Sequence, residues 1–115
     1  MKSLMILAAA IVVGQFAMAH GDHPVKLASC KAAECTKAEI EMAVPLTVEA
    51  MIEKQFIGSE WRSAKTEKVE LKEFKKGAEW VATLFDSKQK DATKQRLYIF
   101  MSKKGYPNGA NFTGK

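Results

Sequence analysis

From residue 36 onward, apolar positions recur every three or four residues. Ile40, Val44, Thr47, Val48, Met51 and Gln55 fall on one side, and Ile52 and Phe56 widen the stripe. That spacing predicts an amphipathic helix running to about Phe56. Thr36 and Glu39 stand at the spacing of a capping box, in which hydroxyl and carboxylate satisfy free N–H groups at the helix start. Gly58 supplies the stop. Pro45 lies inside the pattern; its missing N–H and its ring predict a kink there, or a split into two short helices.

After "GSEW" the period becomes two. In "TEKVELKEF" Val69 and Leu71 share one face, and lysines and glutamates take the other. "KKG" reads as a tight turn. "EWVATLF" and "LYIFM" are apolar on both faces, as central strands are, and "DSKQKDATKQR" between them reads as a long charged hairpin loop. "KKGYPNG" is turn chemistry, and "ANFTG" (110–114) reads as a short edge strand. A lone helix followed by three or four hairpin-linked strands predicts an α+β domain, the helix packed across one face of an antiparallel sheet.

The N-terminus follows another pattern. Lys2 precedes the apolar run "LMILAAAIVVGQFA", and Ala17 and Ala19 place small residues where signal peptidase cuts. Residues 1–19 are therefore expected to be a signal peptide, cleaved after Ala19, with the mature chain periplasmic or secreted and free of any integral membrane segment. Removal leaves 96 of the 115 residues and only Met42, Met51 and Met101 of six methionines, which argues against a thioether-rich copper site. One lysine and no acid are lost, so the formal net charge falls from +5 to +4. The basic balance does not indicate nucleic acid, because lysines alternate with acids, as in "AKTEKVELKEFKK", instead of clustering. A core is possible at this size but small, so one covalent staple matters.

Residues 20–35 read as a flexible polar tail holding both histidines and both cysteines. Cleavage after Ala19 gives His20 a free α-amine beside its imidazole, and those two nitrogens can chelate one metal ion. His23 offers a third nitrogen and Asp22 an oxygen. Such a donor set suits Cu(II), with zinc less favoured. Cys30 and Cys35 are most simply a disulfide in an oxidising compartment; the alternative is a thiolate pair that joins the histidines in a zinc-like set. "LASC" (27–30) has the letters of a lipobox, but the charged "HGDHPVK" separates it from the apolar run.

No enzyme constellation stands out. No serine or cysteine neighbours a histidine in the body of the chain, and the acids alternate with lysines. No glycine-rich phosphate loop is present. The aromatics Trp61, Phe74, Trp80, Phe85, Tyr98, Phe100 and Phe112 read as core.

A capping-box helix followed by strands and a Gly-containing hairpin is similar to PepSY-type domains, over about residues 36–115. More narrowly, the chain resembles small exported bacterial proteins of unknown function. Those have a His-Gly-rich start after the signal, a strand like Trp80-Val81 and an end near "NFTGK". Pro45 and the 86–96 loop depart from the usual pattern. The resemblance implies a binding or inhibitory module, often found beside peptidases or in redox and metal systems, and it carries over no catalytic residue. The function expected is a non-enzymatic accessory protein that binds Cu(II) or another divalent metal through its mature N-terminus. The alternative is a protein-interaction module, a peptidase inhibitor or assembly partner, that uses the sheet face or an edge strand.

Overall fold

The computed structural model describes residues 14–15 and 28–115. Helix α1 spans Lys37–Glu53. Four strands follow: β2 (Lys65–Phe74), β3 (Gly77–Phe85), β4 (Arg96–Met101) and β5 (Pro107–Asn111). Each pairs antiparallel with the next, and a two-residue strand, β1 (Gly14–Gln15), lies beside β5, giving the order β1-β5-β4-β3-β2. β1 falls within the segment expected to be removed as a signal peptide. The fold is α+β, one helix on a four-stranded meander.

The capping box forms as the sequence predicts. Thr36 Oγ1 accepts the Glu39 N–H at 3.2 Å, and Glu39 Oε1 accepts the Thr36 N–H at 2.8 Å. Pro45 does not split the helix. Its ring lies on the exposed side, where water can reach the Glu41 carbonyl that it leaves without an intrahelical partner. The helix ends at Glu53, five residues before Gly58. Gln55 adopts the left-handed conformation at φ 63°, and the N–H groups of Gln55 and Phe56 return to the carbonyls of Ile52 and Met51. This is a Schellman ending built on a non-glycine residue. Gly58 instead opens a 3-10 turn, Ser59–Ser63, which inserts Trp61 into the core.

Ile40, Ala43, Val44, Thr47, Val48 and Met51 make the buried helix face. Burial of each large apolar side chain contributes roughly 1.5–3 kcal/mol. The Thr47 hydroxyl avoids a desolvation penalty by donating to the Ala43 carbonyl at 2.8 Å. Opposite the helix stand Val69, Trp80, Ala82, Leu84, Leu97, Ile99, Met101 and Ala110, the inward set of an alternating sheet. β3 is buried on both faces from Trp80 to Leu84, as a central strand should be.

Two strand details differ from expectation. β5 begins at Pro107, three residues earlier than the expected edge strand over 110–114. Proline is tolerated there as the first residue of the strand, and a register shift between Phe100 and Met101 accommodates it. The strand ends because the Asn111 side chain accepts the N–H groups of Thr113 and Gly114. A bulge between Thr66 and Lys68 places Glu67 against Arg96 in a two-pronged ion pair at 2.8 and 3.0 Å.

Candidate functional site

The cysteine pair lies where the N-terminal segment joins the domain. Cys30 and Cys35 are disulfide-bonded, with Cα atoms 5.0 Å apart. The ring they close is docked against the domain. Ala28 and Cys35 are buried members of the core, and Cys30 packs against it. The Cys35 N–H donates to the Lys103 carbonyl at 2.8 Å, and Glu34 pairs with the Lys103 ammonium at 3.7 Å. Gly105, at φ +95°, completes the seat. A Cβ there would stand 2.8 Å from the Ala28 methyl and 3.1 Å from Cys35 Sγ, so only glycine allows the β4–β5 turn to approach this closely.

Glu39 ties this ring to the helix. Its Oε2 accepts the Lys31 N–H at 3.0 Å while Oε1 caps the helix. The bonds from the Thr36 and Lys31 backbones hold its pKa below the ordinary glutamate value.

His20, Asp22 and His23 lie outside the described residues. Among the described residues no group of three or more His, Cys, Asp or Glu is placed to hold a metal ion. The cysteines occupy each other, so the thiolate set with the histidines does not form in this oxidation state.

A second feature escaped the sequence reading. Phe74, Phe85, Tyr98 and Phe100 do not join the helix-side core. The strand alternation places them on the opposite sheet face, together with Val81 and Thr83. Phe74 and Phe100 meet edge to face at 5.8 Å. They line an open groove of about 630 Å³ near the β2–β3 turn, with Lys75, Lys76, Lys115 and Asn108 around it. Asn108 donates to Glu79 at 2.6 Å, which fixes one wall. Farther along this face, Thr83 is buried and its Oγ1 has no partner among the described residues. The period-two alternation of β4, which sets Phe100 opposite in sense to Ile99 and Met101, is the signal that could have separated these aromatics from the core.

The groove's polar groups are lysines, asparagines, the Ser102 hydroxyl and the Glu79 carboxylate engaged with Asn108. No helix among the described residues is long and apolar enough to cross a membrane. No curated protein and no solved structure matches the chain. A family model matches residues 1–115 in full, and the chain belongs to that family, described as "Family of unknown function (DUF6488)".

Proposed function

We propose that this is an exported, non-enzymatic binding protein whose mature N-terminus chelates Cu(II) or another divalent metal at the end of a short tether. The observation that carries the reading is the docked Cys30–Cys35 ring. It fits a chain that works in an oxidising compartment, and it clamps the segment bearing the histidines to the domain. Cleavage after Ala19 makes His20 the first residue, only eight positions before the clamp at Ala28. Even fully extended, that tether reaches about 26–29 Å. The His20 α-amine and imidazole supply the chelate, His23 a third nitrogen and Asp22 an oxygen. A free α-amine must give up its proton to coordinate, so binding weakens as pH falls.

Calorimetric titration of the mature chain with Cu(II) tests this reading. One ion should bind per chain. One extra residue before His20 should weaken binding strongly, and His23→Ala should weaken it less. Equal binding by native and extended forms would overturn the proposal, and so would exported protein whose mass and N-terminal sequence do not begin at His20.

A second reading, a protein-interaction module, draws support from the groove beside Phe74 and Phe100. It requires that Phe74→Lys abolish binding of a purified partner and that copper leave that binding unchanged.

A further inference from the structure

β2 is the edge of the sheet, and among the described residues it pairs only with β3. Phe74 and Gly77 are register partners across a two-residue turn, so the even-numbered residues of the adjoining stretch bond to β3. The N–H and C=O groups of Val69, Leu71 and Glu73 therefore point away from the sheet. Such a row is a template for another strand.

We propose that two copies of this chain join through these edges, antiparallel and two-fold symmetric about Leu71, to make one continuous sheet. The straight part of β2 runs from the end of the bulge at Lys68 to the turn after Phe74. Its midpoint is Leu71. A two-fold axis there sets Leu71 against its own copy, and Leu71 is 49% exposed in the single chain, an unusual cost for a strand leucine. The same axis places Glu70 of each copy opposite Lys72 of the other, twice over, on the face away from the helix.

Neighbouring registers lose this match. An axis on Glu70 sets Glu70 against Glu70 and Lys68 against Lys72. An axis on Lys72 opposes two lysines. An axis on Val69 pairs Lys68 with Glu70 but carries Leu71 onto the bulged Glu67. Lysines and bulges normally protect an edge from pairing. Here the bulge lies outside the paired stretch, and only the Leu71 register gives Lys72 an acidic partner while sparing the bulge. The occupant is a second copy because the strand is complementary to itself.

Sedimentation equilibrium of the full chain over a concentration series should show a monomer–dimer equilibrium. Lys72→Glu sets glutamate against Glu70 and should weaken association at least tenfold. The double exchange Glu70→Lys with Lys72→Glu restores the cross-strand match and should restore the dimer, which a merely misfolded variant would not do. Leu71→Pro removes only an outward N–H, so it should leave the circular dichroism spectrum intact and abolish the dimer. A monomer throughout the series overturns the proposal. So does a dimer unchanged by Lys72→Glu, which would place the contact elsewhere, or a monomer that pairs instead with an extended segment of a different protein.

Discussion

Glu39 accepts the backbone N–H of Lys31 at 3.0 Å, eight residues back along the chain and inside the disulfide ring. With its other oxygen on Thr36, one carboxylate holds the ring and starts the helix. The ionised form makes these bonds best, so the folded-state pKa lies below the ordinary value of 4.5. A lowered carboxylate pKa gives stability that is present in full above the unfolded value and lost as pH falls through the folded one. Urea midpoints of wild type and Glu39→Gln should therefore differ near neutrality and converge as the pH is lowered below 4.5. A difference that persists unchanged into acid would contradict the role given to the charge.

The disulfide should show no free thiol when the protein is denatured without reductant. Closing so short a ring contributes about 2 kcal/mol in the chain-entropy account. Cys35 is also buried, so replacing both cysteines by serine adds the cost of an apolar site holding a hydroxyl. The double variant should lose about 2–4 kcal/mol by urea unfolding. Cys30→Ser with Cys35→Ala should lose less, because alanine suits the buried position.

Pro45 sits in an unbroken helix, so it should be improvable. Alanine there restores the N–H bond to the Glu41 carbonyl and removes a ring that crowds the preceding turn. Pro45→Ala should raise stability by roughly 1–3 kcal/mol, the upper figure being the helix-interior difference between the two residues. A fall in the thermal midpoint would mean that the proline ring makes packing contacts that outweigh the lost bond.

Gln55 holds a positive φ that L side chains adopt at a cost. Gln55→Gly should relieve it while keeping both Schellman bonds. The gain should be about 0.5–1 kcal/mol after the greater freedom of glycine in the unfolded chain is counted. A thermal unfolding comparison measures it, with Lys54→Gly as a contrast that should destabilise.

The helix, its cap and the central strands were legible because their signals are local. Thr36 and Glu39 need only each other, and the buried stripe from Ile40 to Met51 follows from the helical period. The last strand was misplaced because "PNG" has turn letters, and only pairing with β4 overrides them. The helix end was misplaced for the reverse reason: Gly58 is the residue expected at a stop, yet Gln55 takes the left-handed position. Of the candidate site, the Cys30–Cys35 pairing was readable from the closeness of the two cysteines and the expectation of export. Its burial was not, because Ala28 and Cys35 are seated by Gly105, about seventy positions away in sequence. The groove was missed because every aromatic was assigned to one core. In β4, Phe100 and Ile99 are adjacent in sequence and serve opposite faces.

The close fit at Gly105 also bears on the order in which the protein is assembled. The cysteine ring spans six residues, so it can close as soon as those residues exist, whatever the rest of the chain is doing. Its seat exists only once β4 and β5 have paired and turned at 102–106. Until the last hairpin is made, the ring has the local bond from Lys31 to Glu39 but not its seat, because long-range contacts wait on loop closure. The C-terminal turn thus acts as a latch. A chain cut short before Gly105 would carry a closed ring without its seat.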